Sequence, residues 1–343
     1  MIRVAIVGTG GIAAACHLPA LRTQAHRAEI VAAVDVDAGR VKAFCAEHGI
    51  AGAYTSVEVM LAEERPNLVH ICTPPHLHAE QAVECLRAGA WVWIEKPVCR
   101  SLAEYDLIAA AELDAFASVV SQHRFGSGAR HLREIAPELG RALVALCVTA
   151  WYRDDAYFEV PWRGRFETEG GGPTMGHGIH QMDLLLSVLG DWTEVRAMAG
   201  TLDRRIETED VSMAVVRFAS GAMASVVNSV LSPREESYLR FDFSSATVEL
   251  RHLYGYRNAD WTSGSPLWNP PEDVPSSHEA QLAQLLDAFE RGDAPPMSGP
   301  EGRQSLELIS GLYASAFTGK PVLRSELTVD HPFYHRLDGG KWS

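Results

Sequence analysis

A glycine-rich turn after a short apolar strand constrains this chain more than any other feature. Val4-Ala5-Ile6-Val7 runs into Gly8-Thr9-Gly10-Gly11-Ile12-Ala13, and a helix-like pattern follows. In this Gly-x-Gly-x-x-Ala turn, Gly8 permits the tight bend and Gly10 lets a diphosphate approach the backbone. Ala13 lets helix and strand pack closely. Gly11 and Ile12 fall where the helix begins, so its N-terminus faces the negative diphosphate. Asp35 closes the next apolar run, 22 residues after Ala13, where a carboxylate accepts ribose hydroxyls. Asp35 would repel a 2′-phosphate, which favours NAD over NADP. Arg40 can offset that repulsion, so NADP stays open; the simpler reading of Arg40 is a solvated helix residue.

Strand and helix patterns alternate through the first 120 or so residues. Arg3–Val7, Ile30–Asp35, Leu68–Thr73, Trp91–Glu95 and Ala117–Ser121 read as strands. Helical stretches lie between them, near Ile12–Gln24, Ala38–His48, Leu77–Ala88 and Leu102–Ala115. This spacing predicts βαβ units and a parallel sheet. Past residue 125 the apolar runs follow one another with turn signals and few helices, from Leu143–Thr149 to Ala246–Arg251. They predict a second domain on a mostly antiparallel sheet, with Ser220-Gly221 as a hairpin turn. Ile179, Met182, Leu185, Leu186 and Leu189 have helical spacing, stopped by Gly190. Residues 255–278 read as a long loop, followed by two amphipathic helices. The expected organisation is α/β plus α+β: a Rossmann domain over 1–123 and a substrate-binding and oligomerisation domain over 124–343.

The net charge of −14 argues against a nucleic-acid surface, because phosphate binding needs concentrated Lys and Arg. No run of 18 apolar residues exists, so no membrane span is expected. The N-terminus reads as strand, turn and helix rather than as a secretory signal, since adjacent glycines interrupt its apolar run. The six cysteines are scattered without a Cys-x-x-Cys pair, which implies neither a disulfide framework nor a zinc site. A reduced, cytoplasmic setting is the expectation.

Four segments carry candidate chemistry. In an open parallel sheet, ligands lie outside the carboxyl ends of the strands. Thr73-Pro74-Pro75-His76-Leu77-His78 ends one strand and Glu95-Lys96-Pro97 another. Thr73, Pro74, His78, Glu95 and Lys96 are therefore candidate cofactor residues, with Lys96 also a candidate in proton relay. The alternative for His78 is a structural strand-to-helix turn. Further on, Gly170-Gly171-Gly172 opens a helix carrying His177, His180 and Asp183, and residues three apart on a helix are neighbours. His180 and His177 are candidate catalytic residues. Asp183 either orients His180 or caps local structure. Two histidines three apart do not make a strong zinc signature, and no metal is expected. Arg124, Tyr152, Trp162, Arg163, His177 and Asp183 are the candidate substrate contacts, because aromatic faces and arginine forks suit a polyol or sugar. Buried packing is the competing reading of the aromatic residues.

With these segments in this order, the chain resembles the Gfo/Idh/MocA family of oxidoreductases. The resemblance implies a Rossmann domain followed by a large, mostly antiparallel sheet whose face makes homodimer or homotetramer contacts. It also implies NAD(P)-dependent oxidation of a secondary alcohol on a carbohydrate-like compound. The alternatives are a non-redox enzyme using bound NAD transiently, and a catalytically silent NAD-binding sensor. The family's set is the Lys of Glu-Lys-Pro, an Asp, and a His four residues after that Asp. Lys96 and His180 match; the Asp position holds Gly176. On an ideal α-helix, position 176 lies about 40° to one side of 180, and 177 about 60° to the other. His177 therefore shares the pocket without replacing a carboxylate. His180 is expected to be the principal base, with a lower pKa than a neighbouring Asp would confer.

Overall fold

The computed structural model describes residues 1–340. They divide into two compact units. The first holds residues 1–99, 104–120 and 278–302; the second holds 100–103, 121–277 and the chain from 303 onward. A single boundary after residue 123 thus misses the return of 278–302 to the first unit.

In the first unit, β1 (Ile2–Val7), β2 (Ala28–Val34), β3 (Gly52–Tyr54), β4 (Leu68–Ile71), β5 (Trp91–Ile94) and β6 (Ala117–Val119) form one sheet. Their order is β3-β2-β1-β4-β5-β6, and every pairing is parallel. β4 and β5 are buried along their whole length, as continuous apolar runs in a covered parallel sheet should be. The helices are α1 (Leu18–Thr23), α2 (Ala38–His48), α3 (Val57–Glu64), α4 (Pro75–Arg87) and α5 (Leu102–Ala111). β3 and α3 are absent from the sequence reading; a strand of three residues is too short for periodicity to register.

The second unit opens with α6 (Ser127–Ile135). Its sheet contains β7 (Ala142–Tyr152), β8 (Trp192–Gly200), β9 (Val211–Phe218), β10 (Met223–Ser229), β11 (Leu231–Phe243), β12 (Thr247–Leu250), β13 (Trp261–Ser263) and β14 (Val322–Leu323). The order is β13-β12-β11-β7-β10-β9-β8-β14. Only the β7–β10 pairing is parallel among them. α7 (Ile179–Leu189) packs against β7 and β11 and ends at Gly190 in a left-handed turn. β13 lies inside the stretch expected to be a loop. Trp261 is buried there, with its ring 5.4 Å from Tyr256 and 5.6 Å from Trp268, and packing makes a strand that local composition disfavours.

α8 (His278–Arg291) returns to the first unit, where Arg27 binds Asp287 at 2.5 Å and the Ala283 carbonyl at 2.9 Å. α9 (Gly299–Thr318) leads back into the second. No helix among the described residues is long and apolar enough to cross a membrane.

Candidate active site

In the first unit, Gly8 takes φ +91°, and a Cβ there would stand 2.8 Å from the Cys72 backbone, so only glycine fits. Gly10 and Gly11 are exposed, and a Cβ on either would meet nothing within 4 Å. With exposed Ile12 they form an open cradle at the start of the helix, while Ala13 is buried beneath it. Residues Ala13–His17 form a π-turn before α1, a feature frequent at functional sites.

Asp35 stands at the end of β2. Its Oδ2 accepts the Thr9 amide at 3.0 Å and the Thr9 hydroxyl at 2.9 Å, and its Oδ1 accepts the Asp37 amide at 3.0 Å. Burial works to raise its pKa, but these hydrogen bonds and the Arg40 charge outweigh it and hold the carboxyl below the ordinary range. Arg40 Nη1 lies 3.3 Å from Asp35 Oδ1, so Arg40 is more than a solvated helix residue. An open diphosphate cradle beside an ionised carboxylate at the next strand end fits NAD.

The strand-end residues divide differently from the sequence reading. His78 is buried, with Nδ1 2.8 Å from the Pro97 carbonyl and Nε2 2.7 Å from the Thr73 carbonyl. It ties the ends of β4 and β5 together, so its ring is a brace; burial pushes its pKa down. Thr73 and Pro74 are half-buried, and the Thr73 hydroxyl bonds Gln81 at 2.6 Å. Glu95 also turns inward. Its Oε1 sits 3.0 Å from His17 Nε2 and 2.9 Å from His278 Nε2, and its Oε2 accepts the Lys96 amide at 3.1 Å. Burial opposes the charge on Glu95, but these donors hold its pKa well below the usual range. Burial pushes the His17 pKa down; its Nε2 donates to the Glu95 carboxylate, and its Nδ1 meets His70 Nδ1 at 3.0 Å. His17, Glu95 and His278 could together hold a metal ion; the contacts found are those of a carboxylate–imidazole network. Neither His17 nor His278 carries a sequence signal, because the fold brings them to Glu95 across 78 and 183 positions. Lys96 follows this anchored carboxylate and is half-buried.

In the second unit, Thr174–Gly178 is also a π-turn, leading into α7. The angular offsets of an ideal α-helix therefore do not apply to positions 176 and 177. A Cβ on Gly172 would collide with the Glu209 carbonyl, which explains one glycine of the run. His180 is buried, its ring 5.0 Å from His123 and 5.4 Å from Tyr254. His177 packs 5.1 Å from Trp151, and its Nε2 lies 3.2 Å from the Tyr157 hydroxyl, within hydrogen-bonding distance. Trp151 and Tyr254 close the array at 5.4 Å.

Several candidate substrate contacts fall elsewhere. Arg124 and Asp183 form a buried bidentate pair at 2.7 Å on each arm, and Ser305 donates to Asp183 at 2.8 Å. The pair locks α7 to the residues before α6. Tyr152 is 43% exposed, under Arg204 at 5.2 Å. Side chains alternate along a strand, so its neighbour Trp151 is the residue on the histidine side. Arg163 lies 3.6 Å over the Tyr157 ring and 4.9 Å from half-buried Trp162. Its Nε and Nη1 are buried without a hydrogen-bond partner among the described residues. Sequence reasoning missed His123, Tyr157 and Tyr254. His123 adjoins Arg124 and was within reach; Tyr254 sits where the chain shows no pattern.

A nucleotide cradle on a parallel six-stranded sheet, together with a histidine-bearing helix on a large mixed sheet, defines a Rossmann-type oxidoreductase. Residues 2–119 match the model of the oxidoreductase family with NAD-binding Rossmann fold, and residues 130–249 match the GFO/IDH/MocA C-terminal domain. The chain belongs to the Gfo/Idh/MocA family. It is 29% identical to a putative UDP-kanosamine synthase oxidoreductase subunit of Amycolatopsis mediterranei, over 92% of this chain and 96% of that protein. It is 25% identical to D-glucoside 3-dehydrogenase of Escherichia coli, over 94% and 97%. The WlbA dehydrogenase of Bordetella pertussis, crystallised with NADH and UDP-GlcNAcA, superposes with a TM-score of 0.86 at 28% identity, covering 94% of this chain and 98% of that one.

Proposed function

We propose that this protein is an NAD-dependent dehydrogenase acting on a secondary alcohol of a sugar, polyol or nucleotide sugar. The observation that carries the reading is the array of His180, His123, Trp151 and His177, all buried, with half-buried Tyr157 and exposed Tyr254 at its edge. Aromatic faces suit the apolar side of a sugar ring, and imidazoles move protons near neutral pH. The Arg163 donors that lack a partner among the described residues suit an oxygen-rich ligand, in line with one relative named for UDP-kanosamine and another crystallised with UDP-GlcNAcA.

NAD, when bound, supplies the hydride acceptor or donor. Gly8, Gly10, Gly11, Ile12 and Ala13 would hold its diphosphate, and Asp35 its ribose. The chemistry left to the protein needs a base for the hydroxyl proton and a cation for the reacting oxygen. His180 and Lys96 are assigned these roles, with His177 as substrate ligand or secondary proton carrier. The test is a panel of sugars, polyols, nucleotide sugars and their oxidised forms, followed as NADH absorbance. Turnover in one class supports the reading. Cofactor that survives purification with no turnover of added NAD would replace it with transient, non-redox use of NAD.

Asp35 leads to a preference for NAD over NADP. Titrating both against tryptophan fluorescence should give tighter binding of NAD; tighter NADP binding would transfer the role to Arg40.

The second unit supports a homo-oligomer. One face of its sheet presents Met198 paired to Met213 across β8 and β9, with Val227 next to Met213 in β10. Met198 is 80% and Met213 56% exposed, and such a row marks an interaction surface. Met213→Glu should lower the mass measured by light scattering without altering the melting temperature of the fold. A wild-type monomer would sink the proposal. The six cysteines form no disulfide with one another, and a reducing, cytoplasmic setting is part of the proposal.

A further inference from the structure

We infer that Glu169 is a positioning residue for His180, its carboxylate filling from a loop the place that a side chain at position 176 would fill. The inference rests on the proposed function, which gives His180 its role.

Gly176 is not required by its backbone, which is not in the left-handed region. Nor is it required by core crowding: among the described residues outside its own turn, an added Cβ would meet Glu169 Oε1 alone within 4 Å, at 3.5 Å. A longer side chain there would run into that carboxylate. Gly178, two residues on, differs, since a Cβ there would collide with Asn228. Glu169 is buried, and its geometry is set by its own segment. Its Oε2 accepts the Gly164 amide at 2.6 Å, and its amide donates to the Arg165 carbonyl at 2.9 Å. One oxygen is thus held by the backbone while the other faces Gly176, four residues before His180.

Glu209, the other buried acid on this turn, is taken up by the Gly172 and Thr174 amides and the Tyr313 hydroxyl. His180 faces His123 and Tyr254, and His177 faces Trp151 and Tyr157. None of these carries negative charge at neutral pH. Asp183 is neutralised by Arg124. Arg163 acts on Glu169 by charge and moderates it. A carboxylate beside an imidazole favours the protonated ring, so Glu169 would raise the pKa of His180 and hold the proton it accepts. This reverses the expectation, drawn from Gly176 alone, of a low pKa.

The test is the pH profile of kcat/KM for alcohol oxidation. A base must be neutral to accept the proton, so the rate rises with pH through its pKa. Glu169→Gln keeps an acceptor for the Gly164 amide and removes the charge. Its acid limb should move to lower pH by about one unit or more. Gly176→Asp alone brings two carboxylates together and should slow the enzyme. Gly176→Asp combined with Glu169→Ala restores one carboxylate and should return the limb toward the wild-type position. A slower Glu169→Gln enzyme with an unmoved limb would overturn the inference, because a purely structural role does that. So would a combined variant that melts like wild type without restoring the limb; if Glu169→Gln does not fold, the combined variant decides. Undiminished turnover in His180→Ala would instead overturn the function reading itself.

Discussion

Lys96→Ala should bind NAD about as tightly as the wild type while turning over substrate about a hundredfold more slowly. The reasoning begins at Glu95, whose carboxylate is fixed by His17 and His278 and receives the Lys96 amide. The backbone that carries the lysine is thereby anchored in the interior, just past the end of β5. Removing a charge-assisted hydrogen bond to a reacting oxygen costs about 3 kcal/mol of transition-state stabilisation. The proposed cofactor contacts, the glycine turn and Asp35, involve other atoms. Fluorescence titration with NAD and steady-state rates on the same preparation measure the two effects separately. An unchanged rate would remove Lys96 from the mechanism, and weakened NAD binding with an unchanged rate would make it a cofactor ligand only.

Asp183→Ala should destabilise the second unit by about 3–5 kcal/mol, the effect of leaving one partner of a buried ion pair uncompensated. The Arg124 and Asp183 side chains are 3% and 5% exposed, so neither charge has water to fall back on. Ser305 would lose its acceptor as well. Replacing both ionic partners, as Arg124→Leu with Asp183→Leu, should recover much of the loss, since a buried pair exchanged for apolar groups is often near neutral. Urea unfolding followed by tryptophan fluorescence provides the measurement. A midpoint within error of wild type in Asp183→Ala would show that the pair does not hold α7, and would return Asp183 to the histidine site.

The first unit was legible for a physical reason. Its strands are covered on both faces, so β4 and β5 stand out as unbroken apolar runs. The turn at Gly8 combines a left-handed φ with close contact to Cys72, a demand that one residue type meets. Such local requirements are written into consecutive residues. They made the sheet, the nucleotide turn and Asp35 readable, and the order of motifs carried the resemblance to the family.

What the tertiary structure alone decided lies in side-chain direction and long-range pairing. Glu95 and His78 occupy motif positions, yet both turn inward. Arg124 and Asp183, 59 positions apart, look like site residues because arginine and aspartate often are; in the fold each neutralises the other. Tyr152 and Trp151 were indistinguishable until strand alternation set one outward and one toward His177. Gly176 read as a lost carboxylate, because sequence compares positions along the chain. Glu169 reaches the same place from seven residues earlier only after the chain has folded. Sequence determined which backbone turns were possible; close packing determined which charged and aromatic groups remained to face a substrate.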